Sequence, residues 1–308
     1  MTEFMDSWID LIEDTEQDIV RKELKKAKST DDKIKVLYHH HPTGQISLEP
    51  IKFLEDYLKC IRLTSGTNWF RGQSREFDTL TPKLFRNKNK DDINTLLAKE
   101  KKSFLEFRRR SRAFINSINE NDLWTWYFLM QHYGGQTRLL DWTTNAGVAL
   151  FMALDFERES QENPIVYVLN PLVLSRYAYN ELGKDDSKPT AILYPGEQPT
   201  NKWLTNIESD NNKVPESPIA LLPAYSDQRI ISQHSCFTLF GSDKTGFVKN
   251  EKEITCPCCS SKVIHRIVID GKHKESLRKE LKIMGISSET VYPGLDGLNK
   301  EIIQEIFT

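Results

Sequence analysis

The stretch Gln131-His-Tyr-Gly-Gly-Gln-Thr-Arg-Leu-Leu-Asp-Trp-Thr143 crowds proton donors and acceptors between two hydrophobic segments. Before it, residues 122–133 place Leu123, Tyr127 and Met130, together with Trp126 and Tyr133, at helical spacing. Gly134-Gly135 then ends the helix as a C-terminal cap does. After it, Ala146-Gly-Val-Ala-Leu-Phe-Met-Ala-Leu-Asp155 is an apolar helix, for which Asp141, Thr143, Thr144 and Asn145 are all competent N-caps. The spacing therefore predicts that Thr137–Thr143 is a short structured connection at a helix N-terminus. Such an end attracts anions, because unpaired N–H groups and the helix dipole point the same way.

Working outward, strand signals lie at Trp69-Phe-Arg71, Pro164–Leu169, Ile219–Leu222, Phe237–Phe240 and Val263–Asp270. Helical periodicity marks Ser47–Lys59, with Ser47 as the cap, and Ile93–Phe114, with Leu96, Leu97, Phe104, Leu105, Phe107 and Phe114 as apolar positions. Asn87-Lys-Asn-Lys-Asp-Asp92 reads as a turn. Helices at both ends with strands concentrated between them predict an α+β fold: a central, mostly antiparallel sheet flanked by helices, with an N-terminal helical extension. In that extension, residues 3–28 carry Phe4, Trp8, Leu11, Ile12, Ile19, Val20 and Leu24 on one face. The helix either covers the domain core or offers a surface for a protein partner or self-association. A second short helix is expected over Thr30–Tyr38. Residues 176–216 are polar and weakly periodic, as expected of an ordered excursion or lid.

Composition narrows the function. The chain has 308 residues, 38% of them apolar and 10% aromatic, enough for a real core. Lys+Arg 42 against Asp+Glu 44 leave a formal charge of −2, which excludes a global basic field for nucleic acid; any such contact needs a local patch. The acidic N-terminus is no signal peptide, and no apolar run reaches the roughly 18 residues of a membrane span. With five cysteines, an odd number, the expectation is a cytoplasmic protein with reduced thiols. Cys256-Pro-Cys-Cys259 contains half of a zinc knuckle. Its second ligand pair is missing, and His265 falls in an alternating strand as a surface residue would, so a reduced hairpin tip is preferred to zinc at Cys256/Cys259. His39-His40-His41 reads as a polar loop. Dinucleotide-fold, Walker, zincin and nucleophile-elbow motifs are all absent from the sequence.

The central stretch has a partner earlier in the chain. Asn68-Trp-Phe-Arg-Gly-Gln73 is followed by Thr79-Leu-Thr-Pro-Lys-Leu-Phe-Arg86, then by Gln131-His-Tyr-Gly134 and Thr137-Arg-Leu-Leu-Asp-Trp-Thr143. Together these resemble the FRG domain, named for its Phe-Arg-Gly motif. Arg229-Ile-Ile-Ser-Gln233, leading into Phe237–Gly241, is similar to the family's later Arg/Gln strand, and Leu281 to Leu298 looks like its C-terminal end. The resemblance covers roughly 46–305. It implies an FRG domain at 46–308, after the N-terminal helical segment at 1–45 read from periodicity, and a bacterial or phage setting in phage defence or a toxin system.

Two chemistries compete for Arg71, His132, Thr137, Arg138, Asp141, Arg229 and Gln233. In one, buried arginines held by Asp141 or Gln233 support the fold. In the other they line a nucleotide pocket that also draws on Gly72, Gln131, Tyr133 and Trp142. Arg71 and Arg138 would grip phosphates, Tyr133 or Trp142 would stack a ring, and Asp141 or Gln233 would orient a ribose hydroxyl. The pattern is similar to that of the arginine-type ADP-ribosyltransferases, which implies NAD as cofactor and Arg71, Asp141 and Gln233 as catalytic residues, with Thr137 or Thr143 bracing the ring. Gln233 departs from that pattern, because the transferases carry glutamate there and a neutral amide cannot offset developing positive charge. Asp141 or Glu197 would have to supply it. The other class is a noncatalytic module for nucleotides or nucleic acid, to which Arg108-Arg-Arg-Ser-Arg112 would contribute unless Glu100 and Glu106 neutralise that face.

Overall fold

The structure is a computed structural model. It describes residues 14–28, 32–33, 36, 46, 49–64, 67–76, 80–86, 91–115, 118–119, 121–155, 162–181, 192–196, 199–209, 213–224, 228–247 and 263–307. In chain order these form α1 (Asp14–Lys26), α2 (Leu54–Leu63), β1 (Trp69–Gln73), α3 (Lys83–Arg86), α4 (Ile93–Ser111), α5 (Leu123–His132), β2 (Leu139–Thr143) and α6 (Ala146–Asp155). There follow β3 (Ile165–Leu169), α7 (Pro171–Glu181), a 3₁₀ turn (Thr200–Leu204), α8 (Thr205–Glu208), β4 (Ile219–Leu221), α9 (Gln228–Ser232) and β5 (Ser235–Leu239). The chain ends with β6 (Ile264–Val268), α10 (Lys274–Ile283), α11 (Ser288–Val291) and α12 (Leu295–Phe307). The fold is α+β, and the chain divides into two compact units.

The first unit takes Met1–Glu76, Asn145–Asn170 and Cys258–Thr308. Its strands pair antiparallel, β1 with β3 and β3 with β6, in a register that sets Arg71 opposite Tyr167 and Tyr167 opposite Arg266. Alternation sends Phe70, Val166, Val168 and Ile267 to one face, where they join the apolar side of α6 in a core. Gly72 lies on that face, and a Cβ there would meet the Ala149 carbonyl oxygen at 2.0 Å and the Ala153 nitrogen at 2.5 Å. Glycine is thus what lets the helix backbone sit on the strand. Asn145 caps α6, its Oδ1 accepting from the N–H groups of Gly147 at 2.9 Å and Val148 at 3.2 Å. The Tyr57 hydroxyl on α2 donates to the Ala146 carbonyl at 2.7 Å.

Helix α2 begins at Leu54, seven residues after the expected cap Ser47, which itself lies outside the described residues. The reason is that the preceding segment is committed to β6: Ile46 N–H donates to the Arg266 carbonyl, Ile51 N–H donates to the Val268 carbonyl, and Ile51 bridges Ile269 in parallel. His265, expected at the surface, is buried in β6. Of the N-terminal helix, Phe4, Trp8, Leu11 and Ile12 fall outside the described residues, while Val20 is buried and Ile19 exposed. Most of 30–38, the histidines at 39–41, the turn at 87–90, Glu197 and the cysteines at 256–259 are likewise outside the described residues.

The second unit takes Phe77–Thr144 and Pro171–Pro257. Here β5 is flanked by β2 and β4, both antiparallel, with Asp141 opposite Phe237 and Thr143 opposite Ser235. Asp92 and Asp122 cap α4 and α5, accepting from Thr95 N–H at 3.0 Å and Thr125 N–H at 3.1 Å. Helix α5 lays its aromatics across β5: Trp124 stacks on Phe128 at 5.9 Å, and Phe128 on Phe237 at 5.0 Å. It ends as the glycines dictate, with Gly134 at φ 81° and Gly135 N–H donating to the Met130 carbonyl at 2.8 Å.

Three expectations are corrected in this unit. The connection after Gly135 is strand β2 from Leu139 onward, so Asp141 and Thr143 belong to the strand and only Asn145 caps α6. The segment Arg229–Gln233 forms the turn of helix α9 rather than a strand. Within the expected excursion at 176–216, Thr200, Trp203, Leu204, Asn206 and Ile207 are buried, so 200–208 is core of this unit and no lid.

Replacing Gly72 with alanine should destabilise the protein by about 1–3 kcal/mol, as overpacking against a fixed backbone does. Urea unfolding of the variant measures it, and an unchanged midpoint would show that α6 does not depend on this close approach.

Candidate functional site

In the second unit the reading of Arg138 as a phosphate grip is corrected by its burial: its relative exposure is 0%, as is that of Glu100. Arg138 Nε donates to Glu100 Oε2 at 2.8 Å, Nη1 to the Phe240 carbonyl at 2.9 Å, and Nη2 to the Trp203 carbonyl at 2.6 Å and Asn206 Oδ1 at 2.9 Å. Its backbone N–H donates to Glu100 Oε1 at 2.9 Å, and the Tyr127 hydroxyl donates to the same oxygen. Burial alone would lower the Arg138 pKa, yet the Glu100 carboxylate more than offsets this and keeps the guanidinium charged. Burial, and then Glu100, push the Tyr127 hydroxyl far above its ordinary value, so it remains a donor. Arg138 is a structural arginine, held by Glu100 and not by Asp141 or Gln233.

Three residues beyond Arg138, β2 presents a side chain outward. Asp141 is exposed within an otherwise buried strand. Thr137 Oγ1 donates to Gln131 Oε1, and Gln131 Nε2 donates to both Asp141 carboxylate oxygens, at 3.2 and 3.1 Å. A buried hydroxyl therefore fixes the amide, and the amide fixes the carboxylate. The earlier motif closes onto the same place: Lys83 Nζ donates to the Gly134 carbonyl at 2.5 Å, Leu84 N–H to the Thr137 carbonyl at 3.3 Å, and Arg86 Nε to the Thr81 carbonyl at 2.8 Å. Partial burial lowers the Arg86 pKa, and the nearby Asp141 carboxylate works against this. Tyr133 stands 75% exposed at the end of α5, and the half-buried His132 ring lies 6.1 Å from Phe237.

The other expected residues divide. Trp142, at 3% exposure, points to the opposite face and donates from Nε1 to Thr238 Oγ1 at 3.0 Å, which corrects its reading as a stacking platform. Thr143 is buried and its hydroxyl donates to the Gln233 carbonyl at 2.6 Å, so it braces the turn after α9. Arg229 is exposed on α9 and Gln233 half-buried just beyond it. Arg71 and Gly72 belong to the first unit, where Gly72 seats α6 and Arg71 faces the other side of the strand, opposite Tyr167.

Sequence reasoning missed Lys83 and Arg86 as site residues, although both stand in the quoted Thr79–Arg86 motif. It assigned Glu100 to a solvated helix face. Arg109 and Arg110 are instead paired with Glu106, each at 2.8 Å, and the two guanidiniums hold its carboxyl down at about 2. Among the described residues no cluster of three His, Cys, Asp or Glu gathers to hold a metal, and no helix is long and apolar enough to cross a membrane.

Residues 66–162 match the family model of the FRG domain, a span that runs from before β1 through β2 and α6 and contains Lys83, Arg86, Gln131 and Asp141. The protein carries an FRG domain. Arg229 and Gln233 lie outside the matched span. No curated protein and no solved structure matched the chain.

Removing one half of the buried pair should be costly. Glu100→Gln and Arg138→Met each leave a partner charge or several acceptors unmet, and each should lose about 3–5 kcal/mol in urea unfolding, with a smaller loss for the double variant. Additive losses would show that the two side chains do not act as a pair.

Proposed function

We propose that this FRG-domain protein binds a nucleotide at the Gln131–Asp141 surface of its second unit. The observation that carries the reading is an exposed carboxylate held in one orientation by Gln131 and approached by Arg86 from a separate motif. A fixed carboxylate accepts well from ribose hydroxyls. Arg86 and Lys83 supply positive charge for a phosphate, and the exposed Tyr133 ring offers a face for a base. Surface electrostatics of this kind give modest affinity and strong salt dependence.

A noncatalytic module is favoured over a transferase. Of the two arginines expected to grip phosphate in a nucleotide pocket, Arg138 is consumed inside the fold, and the position where a transferase carries glutamate holds the neutral Gln233. Turnover of NAD is the second reading, favoured by Asp141 alone, since it is a solvent-exposed carboxylate able to face developing positive charge where Gln233 cannot. Broad nucleic-acid binding through Arg108–Arg112 draws less support, because Glu106 engages Arg109 and Arg110.

Calorimetric titration with AMP, ADP and NAD should show binding that weakens about tenfold in Asp141→Asn and falls again in Tyr133→Ala, the former being the scale of one hydrogen bond to a charged group. Nicotinamide release from NAD, measured beside Arg71→Ala and Gln233→Ala, is expected to be absent. Release that disappears in the folded Asp141→Asn variant would establish the catalytic reading. Nucleotide affinity indifferent to both Asp141 and Tyr133 would sink the site.

A further inference from the structure

The face of the β1–β3–β6 sheet opposite Gly72 and α6 has an unusual content. Cross-strand register lines up Arg71, Tyr167 and Arg266 in one row. Directly opposed residues bring their Cβ atoms to about 4.5–5.5 Å, so the three side chains share one patch. Trp69 and Gln73, two residues to either side of Arg71, extend the same face. An ordinary sheet face buried to this degree carries apolar side chains; beside Ile165 and Leu169, this face carries two guanidiniums, a phenol, an indole and an amide.

The hydrogen bonding of Trp69, Gln73, Tyr167 and Arg266 is incomplete. Tyr167 is 1% exposed and Trp69 0%, yet the Tyr167 hydroxyl and the Trp69 indole N–H have no hydrogen-bond partner among the described residues. The same holds for Arg266 Nε and Gln73 Oε1. Arg266 Nη1 is paired with Glu76, whose side chain is largely exposed, so Glu76 orients the guanidinium without covering it. A buried donor left unmet costs about 1–3 kcal/mol, so three unmet donors gathered on one sheet face are hard to account for as packing alone.

We propose that this row is a phosphate-binding site, in which Arg71 and Arg266 face the oxyanion as charged donors and Tyr167 and Trp69 add neutral ones. The chemistry of the set selects the ligand. Guanidiniums match phosphate oxygens in a planar, bidentate way. Gln73 Oε1 supplies an acceptor, which suits the P–O–H of a monohydrogen phosphate or phosphomonoester and finds nothing to accept from a carboxylate or sulfate. Burial, with Glu76 adding and Arg266 and Arg71 opposing, pushes the Tyr167 hydroxyl up to about 12, so at neutral pH it is a donor. The inference stands independently of the nucleotide reading: it concerns other residues, in the other unit, and a ligand group that can be presented alone.

The test is titration of the full-length protein with inorganic phosphate, followed by ³¹P line broadening and by the phosphate-dependent rise in Tm. Wild type should bind phosphate, and affinity should fall about tenfold or more in Arg266→Gln, where a charge-assisted contact is lost. Tyr167→Phe should fall about threefold while the unliganded protein keeps its stability, because that change removes only a hydroxyl with no partner among the described residues. Lys59→Gln, at an exposed lysine outside either proposed site, should leave phosphate binding unchanged, which separates the loss at Arg266 from a general loss of positive charge. Sulfate and citrate should bind less tightly than phosphate. Absence of phosphate binding by folded wild type, binding that survives Arg266→Gln intact, or sulfate binding equal to phosphate would each overturn the assignment.

Discussion

The second unit is organised around one buried charge. Arg138 and Glu100 have left water completely, a step that costs several kcal/mol per ion unless geometry and hydrogen bonding restore it. Restoration here uses parts of the chain far apart in sequence: the carboxylate comes from α4, a hydroxyl from α5, carbonyls from Trp203 and from Phe240 beyond β5, and an amide from α8. Asn206 closes the ring, its Nδ2 donating back to Glu100 Oε2 at 3.0 Å. No single contact explains the arrangement. The pair is tolerable only when all of them are made, so the unit's elements are correct together or not at all.

That constraint reaches the surface through the backbone. Because Arg138 is pinned at the entry to β2, the next residues are delivered in fixed alternation, Leu139 and Asp141 to one side and Leu140 and Trp142 to the other. Thr137, just before the pinned arginine, is buried and aims its hydroxyl at Gln131. The orientation of an exposed carboxylate is therefore inherited from a buried ion pair. The Phe-Arg-Gly motif divides its labour in a similar way: Phe70 and Gly72 serve the packing of α6, while Arg71 between them is presented to the opposite face.

Much of this was legible. Apolar runs marked β3, β4 and β5, an alternating run marked β6, the paired glycines marked the end of α5, and Asn145 was among the caps foreseen for α6. What stayed hidden has physical causes. Strand β2 offers only five residues and interrupts its apolar pattern with Asp141, so a strand and a polar connection look alike. The buried turns at 200–208 are too short to show a period. Glu100 lies on a helix rich in lysine and glutamate, and nothing local distinguishes the one carboxylate that meets an arginine 38 positions later. The two charged groups of the proposed site that reasoning missed, Lys83 and Arg86, stand in the quoted Thr79–Arg86 motif, where a motif reading hides them as charges.

The alternation of β2 also fixes something about how the chain can vary in length. Between Arg138, locked in the core, and Thr143, locked to the Gln233 carbonyl, inserting or deleting a single residue would exchange the two faces of the strand. Asp141 would turn toward the side that holds Trp142, and the indole would be driven into water. Sequence drift can replace side chains there one at a time, but this short interval has no tolerance for a change of count. Related chains can thus be aligned through it without gaps even where every neighbouring loop differs.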